Sequence, residues 1–133
     1  MEKRTYSKET HAKNFEWEVT PEDTVSITEY TGKAKRVVIP KKIEGRVVTS
    51  ISREAFSICT SLTSIKVPSS VTAIGSWAFY GCRSVVGVEI PDSVRDIGRY
   101  AFEGCTNLTI ICRAGTYAHK YAQKNGINFE LRQ

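Results

Sequence analysis

Apolar residues of this chain recur at an interval of 23 positions. Three gapless segments, residues 48–70, 71–93 and 94–116, place apolar side chains at the same offsets. The matched columns are Val48/Val71/Val94, Ile51/Ile74/Ile97, Ala55/Ala78/Ala101, Phe56/Phe79/Phe102, Cys59/Cys82/Cys105, Leu62/Val85/Leu108 and Ile65/Val88/Ile111. A single coil buries too little apolar surface to offset the entropy of ordering it. The period therefore predicts a solenoid in which the coils stack on one another.

The end of each repeat predicts a strand. In the first two repeats, β-branched residues alternate with polar ones before a proline, as in Ile65-Lys66-Val67-Pro68, whereas the third repeat has Arg113 in the last apolar column. Val37-Val38-Ile39-Pro40 has the same form and indicates a partial rung ahead of the first full repeat. Stacked laterally, these strands would form one parallel sheet of about four rungs along one side of the solenoid.

The sequence before the repeats predicts a cap. Residues 15–19 and 24–30 alternate apolar and polar positions on either side of Pro21-Glu22-Asp23, which is typical of a β-hairpin. Solenoid ends expose apolar surface and strand edges, and a hairpin would cover them.

A second cap is predicted after the repeats. Thr116 is a suitable N-cap for a short helix over residues 117–124, and Asn125-Gly126 would end it. Ile127 and Phe129 then indicate a closing strand. The predicted organisation is a flexible tail over 1–13 and one domain over 14–133, made of a hairpin cap and partial rung (14–47), the repeats 48–70, 71–93 and 94–116, and a closing cap (117–133).

Repeats of the form Val-x-x-Ile-x-x-x-Ala-Phe-x-x-Cys-x-x-Leu-x-x-Ile-x-Val-Pro resemble the BspA-like class of leucine-rich repeats. The opening VVIPKKIEGRVVTSI and the closing GTYAHKYAQKNGINFEL also resemble the usual ends of that family. The resemblance covers about residues 14–131. It implies an α/β-type solenoid of right-handed coils in a bacterial or protist surface protein that adheres to host proteins. The array here is short, and Ile110 and Cys112 occupy positions predicted to face outward.

Composition and charge add little to this picture. Hydrophobic residues make up 41% and charged residues 25%, which is typical of a globular chain. We expect no membrane span, because no stretch approaches about 20 apolar residues. The N-terminus carries no apolar run after its charges, so it is not a signal peptide. The family resemblance favours an extracellular or cell-surface location, and a cytoplasmic one is the alternative.

The net charge of +5 is spread along the chain. We interpret the densest basic stretch as a solvated face, with an anion-binding patch as the alternative; it contains Lys33, Lys35, Arg36, Lys41, Lys42 and Arg46, interrupted by Glu44. A nucleic-acid-binding protein would concentrate its surplus of positive charge on one face, so no nucleic-acid partner is expected.

The three evenly spaced cysteines, Cys59, Cys82 and Cys105, would form a ladder with about 5 Å between rungs. The outer two are then too far apart for one zinc ion, whose bonds to sulfur are about 2.3 Å. A disulfide between neighbours would be strained, because the stacked Cβ vectors are parallel. We therefore expect these thiols to pack at a corner of each coil, and Cys112 to be the exposed, reactive one.

Catalytic patterns are not found in the sequence. His11 and His119 fall in different caps, and Gly75-Ser76-Trp77 lacks the Gly-x-Ser-x-Gly nucleophile pattern. Asp92 and Asp96 resemble solvated turn residues more than an acid–base pair. We expect no enzyme activity, no cofactor and no metal, and a hydrolase is the least favoured function.

Two surfaces remain as candidate binding sites for a protein partner. Ser64, Lys66, Gly87 and Glu89 should face outward along the sheet, next to Thr109, Ile110 and Cys112 of the last repeat. Trp77, Tyr80 and Tyr100 occur where the other repeats have Glu54, Ser57 and Glu103, so the fold does not demand them. Partial burial against the next coil is the alternative explanation for these aromatic residues. The predicted function is a non-enzymatic protein-binding module, and the alternative is a structural or weakly self-associating repeat unit.

Overall fold

In the computed structural model, which describes residues 9–133, the 23-residue interval becomes a stack of coils. Matching backbone groups join one coil to the next. The amide of Phe56 donates to the carbonyl of Ala78 (2.7 Å), and the amide of Phe79 donates to that of Ala101 (2.8 Å). These bonds satisfy backbone polar groups inside the stack, so the predicted solenoid is confirmed.

Short strands and one helix form the regular structure of the described part. The strands are β1 (Phe15–Val19), β2 (Val25–Tyr30), β3 (Arg36–Val38), β4 (Lys42–Ile43), β5 (Arg46–Ile51), β6 (Ser64–Lys66), β7 (Ala73–Ile74), β8 (Gly87–Glu89), β9 (Asp96–Ile97), β10 (Thr109–Arg113) and β11 (Asn128–Arg132). Helix α1 spans Tyr117–Lys124, and a 3-10 turn at Ala12–Asn14 precedes β1.

The strands form two sheets. Sheet 2 is the predicted parallel sheet, and its five strands lie in the order β11-β10-β8-β6-β3. Sheet 1 was not predicted; it has the order β1-β2-β5-β7-β9, with β4 paired to β5. Its strands β7 and β9 contain only two residues each. Because alternation needs about four residues to be visible, no sequence pattern could reveal them.

The core consists of the repeated apolar columns. Its centre is a line of aromatic rings, with centroids of Phe56 and Phe79 5.1 Å apart and those of Phe79 and Phe102 5.2 Å apart. Tyr30 continues the line into the hairpin and Tyr121 continues it into helix α1. The rings therefore link both caps to the repeats through one continuous core.

The last coil departs from the predicted alignment. Gly87 pairs with Thr109 and Val88 pairs with Ile110, so the spacing between these strands is one residue shorter than the repeat. Ile110 and Cys112 are consequently buried, with 0% and 1% of their surface exposed. The prediction that both face outward is wrong, because Leu108-x-Ile110 replaces the Leu-x-x-Ile of the earlier coils. Ile111 takes the outer position instead.

The N-terminal cap contains the predicted hairpin. Strands β1 and β2 pair antiparallel, and β2 pairs in parallel with β5. Residues 1–8 of the predicted flexible tail lie outside the described residues. Within that tail, the Thr10 amide donates to the Val38 carbonyl (2.7 Å), and its hydroxyl accepts from the Val38 amide (2.8 Å). Thr10 thus occupies the outer edge of β3.

The C-terminal cap contains the predicted helix. The hydroxyl of Thr116 accepts from the amide of His119 (3.3 Å), which is the expected N-cap bond. Ala118 and Ala122 are buried against the last coil. The chain then returns as β11, which pairs in parallel with β10.

Candidate interaction surfaces

The four predicted sheet residues lie together on sheet 2. Ser64 pairs with Gly87 and Lys66 pairs with Glu89 across β6 and β8. The residues between them, Ile65 and Val88, are buried, so the four face away from the core. We call Ser64, Lys66, Gly87 and Glu89 the sheet strip.

Charges on the sheet strip form a small network. The Lys66 ammonium lies 4.0 Å from Glu89 Oε2, and the Arg132 guanidinium contacts the same oxygen. Arg132 comes from β11, two strands away, and was not among the predicted residues. Its approach depends on the register between β10 and β11, which no sequence pattern specifies. The carboxylate of Glu89 is therefore held between two cations.

Gly87 is a glycine that the fold does not require. Its φ lies outside the left-handed region, and a Cβ there would meet only the Ile111 Cδ1 atom at 3.5 Å, an ordinary contact. A glycine inside a strand weakens the strand and often marks a place where another chain or ligand approaches. The backbone of the sheet strip is thus not covered by a side chain at Gly87, opposite Ser64.

A groove of about 700 Å³ borders the strip where the strands of sheet 2 end. Its floor is apolar and includes Val67, Pro68, Ile90, Pro91 and Cys112. Charged side chains of both signs line its rim, among them Lys41, Lys66, Glu89, Asp92, Arg113 and Arg132. Asp92 pairs with Arg113 at 3.5 Å. The rim thus presents alternating charge over an apolar floor.

The predicted aromatic residues also lie together. The ring centroids of Trp77 and Tyr100 are 4.6 Å apart, and those of Trp77 and Tyr80 are 5.2 Å apart with the rings nearly perpendicular. Tyr80 and Tyr100 are 38% and 49% exposed, whereas Trp77 is half-buried between them. We call these three residues the aromatic cluster. The side chains of the aromatic cluster thus pack against one another between coils and remain partly exposed to solvent.

Two members of the aromatic cluster have unfavourable backbone geometry. Trp77 and Tyr100 have φ values of 61° and 58°, and the aligned Glu54 has 62°. The turn of each coil therefore requires a left-handed residue at this column, at a cost of about 1–2 kcal/mol for a side chain other than glycine.

The cysteine ladder is built from free thiols. The Cys82 thiol donates to the Phe56 carbonyl (3.0 Å), and the Cys105 thiol donates to that of Phe79 (3.1 Å). Hydrogen bonding to Cys105 raises the pKa of Cys82 to about 11 and lowers that of Cys105. Hydrogen bonding to Cys82 raises the pKa of Cys59. The three thiols thus act on one another along the ladder.

Cys112 is not the exposed thiol that the sequence predicted. Its side chain is buried on the inner side of β10, and this burial raises its pKa. A buried neutral thiol is a poor nucleophile. The prediction failed for the same reason as the one for Ile110, since both follow from the one-residue shortening of the last coil.

Two of the polar side chains considered for catalysis, those of His119 and Asp92, have structural partners. The Nδ1 atom of His119 accepts from the Gly115 amide (3.0 Å), and Asp92 pairs with Arg113. Within residues 9–133, no group of three or more His, Cys, Asp or Glu side chains could hold a metal ion. Over the same residues, no helix is long and apolar enough to cross a membrane.

Family comparison agrees with the repeat pattern. The family model described as BspA type leucine-rich repeat region matches residues 25–125 in 6 copies. The matched span contains the second hairpin strand, the three repeats and helix α1. None of the curated proteins is similar enough to count as a match.

Several solved structures share the fold. The leucine-rich repeat protein TpLRR of T. pallidum is 38% identical with a TM-score of 0.76, over 79% of this chain and 53% of that one. A leucine-rich cell surface protein from Faecalibacterium prausnitzii is 34% identical with a TM-score of 0.70, over 76% of this chain and 29% of that one. A leucine-rich repeat protein from Bacteroides ovatus is also 34% identical, with a TM-score of 0.64, over 78% and 29%. The chain thus spans between about a third and half of these proteins.

Proposed function

The chain belongs to the BspA-type leucine-rich repeat family, and we propose that it is a non-enzymatic protein-binding module of a bacterial cell-surface or secreted protein. The family and fold are typically non-enzymatic, and leucine-rich repeats commonly mediate protein interactions. One similar structure is described as a cell surface protein, which supports this location. The partner is a protein, such as a host or cell-surface protein.

The aromatic cluster carries the proposal. Interface residues that contribute most to affinity are enriched in Trp and Tyr and lie where water is excluded on binding. Trp77, Tyr80 and Tyr100 support one another through ring contacts, so little side-chain entropy remains to be lost when a partner binds. Their hydroxyl and indole groups add hydrogen-bonding capacity at the edge of an apolar surface.

The sheet strip is a second contact surface in this proposal. Lys66 and Glu89 present opposite charges side by side, and Gly87, which pairs with Ser64, leaves the neighbouring backbone without a side chain. Charges at the border of an interface influence partner choice and association rate more than affinity. We assign affinity to the aromatic cluster and selectivity to the sheet strip.

Site-specific photo-crosslinking tests this assignment. A photoreactive phenylalanine analogue at Tyr80 should capture a defined protein from extracts of the host or of neighbouring bacteria. The same analogue at Val19, which is 45% exposed and lies in β1, outside both the aromatic cluster and the sheet strip, is the matched control. If the Val19 position captured the same protein with equal yield, the aromatic cluster would not be the binding surface.

One observation favours the structural, self-associating alternative as a second role. Phe129 and Leu131 of β11 are 38% and 45% exposed, which is high for apolar residues at the end of a stack. This strand contributes no residue to the aromatic cluster, so variants of the two can be made and tested separately.

A further inference from the structure

The two edge strands of sheet 2, β3 and β11, differ in how far their outer edges are covered within residues 9–133. The outer edge of β3 is occupied by Thr10, which both donates to and accepts from Val38. All five residues of β11 are exposed, and β11 is the outermost strand at the other end. An uncovered edge offers unpaired backbone donors and acceptors to another strand. Within residues 9–133, sheet 2 therefore has one edge open for pairing.

The side chains of β11 are suited to pairing with another strand. Phe129 aligns with Ile110, and Leu131 aligns with Cys112, two residues that point into the core. Phe129 and Leu131 therefore extend the inner face of the sheet beyond the last coil, where they remain partly exposed. The strand lacks proline, lysine and bulges, which commonly protect edges from pairing. Its sequence, Asn-Phe-Glu-Leu-Arg, alternates as a half-buried strand does.

Charge complementarity identifies the occupant as a second copy of the same strand. In an antiparallel pair with Leu131 opposite Leu131 of the second copy, Glu130 lies opposite Arg132 of that copy. Two-fold symmetry then produces this ion pair twice, on the outer face, with the leucine pair on the inner face. Arg132 lies beside Arg113 in the register with β10. Within the chain, Arg132 contacts Glu89 and Arg113 pairs with Asp92, and a carboxylate from the second copy would give Arg132 an additional partner.

We propose that the chain forms a two-fold symmetric dimer through antiparallel pairing of β11 with β11 of a second copy. The assembly closes at two copies, because each chain uses the same strand and the opposite edge of sheet 2 is occupied by Thr10. The aromatic cluster and the residues of β6 and β8 remain outside the pairing strand. Arg132 of this strand contacts Glu89 of the sheet strip, so only binding through the aromatic cluster is independent of dimerisation.

Charge reversal tests the register. Sedimentation equilibrium of the full chain should detect a dimer between about 10 μM and 1 mM. Glu130→Arg and Arg132→Glu should each raise the dimer dissociation constant about tenfold or more, because each places like charges opposite one another twice. The double variant, which restores both pairs with their signs exchanged, should return the constant to within about threefold of the original. Arg83→Glu, an exposed reversal elsewhere, is the matched control and should have no effect.

Circular dichroism distinguishes dissociation from unfolding in these variants. Each single variant should retain the spectrum of the original chain. A strict monomer at about 1 mM would overturn the dimer, and so would dimerisation unaffected by either single reversal. If the double variant did not recover the dimer dissociation constant of the original chain, the Glu130–Arg132 register would be wrong. Crosslinking at Tyr80 is measured separately, so failure here leaves the proposed binding function standing.

Discussion

The rings of Trp77 and Tyr100 pack against each other from adjacent coils at matched left-handed positions, with centroids 4.6 Å apart. In the first coil, the same position is filled by Glu54. The backbone of the turn thus accepts a polar residue, and the two aromatic side chains add a surface to it. Substitutions at this position can therefore change the aromatic surface without disrupting the fold.

Tyr100→Glu should preserve the fold. The new residue is the one that the first coil already carries in this conformation, so the loss is limited to ring contacts worth about 0.5–1.5 kcal/mol. Urea unfolding should show that decrease with an unchanged slope. A decrease of more than about 3 kcal/mol would mean that Tyr100 is required by the coil itself.

Alanine substitutions at two glycines should show which of them is required for close packing between adjacent coils. A Cβ on Gly98 would lie 2.5 Å from the Ser76 backbone nitrogen, so Gly98→Ala should destabilise by about 2–3 kcal/mol. Gly87→Ala is the matched control, since its Cβ would make only an ordinary contact. It should change the free energy of unfolding by less than about 1 kcal/mol. Equal losses in both variants would contradict the close approach of adjacent coils at Gly98.

Ile58→Asn should stabilise the chain. Ile58 is 60% exposed and has a φ of 57°, at a column where the next coils have Gly81 and Gly104. A β-branched residue is strained there, whereas asparagine tolerates the conformation, so a gain of about 1 kcal/mol is expected. Thermal unfolding measures it, with Val86→Asn as a control at an exposed position of ordinary φ. A lower midpoint for Ile58→Asn would show that its packing outweighs the strain.

Thiol labelling should follow the pKa differences within the ladder. Cys59 and Cys105 are both partly exposed, but hydrogen bonding with Cys82 raises the pKa of the first and lowers that of the second. A lower pKa gives more thiolate at a given pH, so Cys105 should react with iodoacetamide faster than Cys59 at about pH 7.5. Peptide mass spectrometry identifies the order. Faster labelling of buried Cys112 would contradict the shortened last coil.

Long-range repetition made most of the fold predictable from the sequence. The apolar columns specify the stack, while the hairpin and the Thr116-capped helix follow from local alternation and capping residues. The shift of the last coil was missed because Ile110 and Ile111 are both isoleucine, so an alignment with or without a gap fits the column. The spacing Ile110-x-Cys112, which matches Val88-x-Ile90, was the signal that could have revealed it.

The candidate surfaces were only partly predictable. The 23-residue period places equivalent residues of adjacent coils side by side, which brought Lys66 to Glu89 and Trp77 to Tyr100. The contact of Arg132 with Glu89 spans two strands of sheet 2 and depends on how the closing strand is aligned. Neither periodicity nor capping carries that information.

Isothermal titration calorimetry with the protein captured at Tyr80 measures directly what the aromatic cluster contributes to binding. Trp77→Ala should weaken binding at least about thirtyfold, as expected for loss of about 2 kcal/mol at an aromatic anchor, and Val19→Ala, at an exposed position outside both candidate surfaces, should have no effect. Affinities for the original chain, Trp77→Ala and Val19→Ala that agree within about threefold would contradict the assignment of affinity to the aromatic cluster.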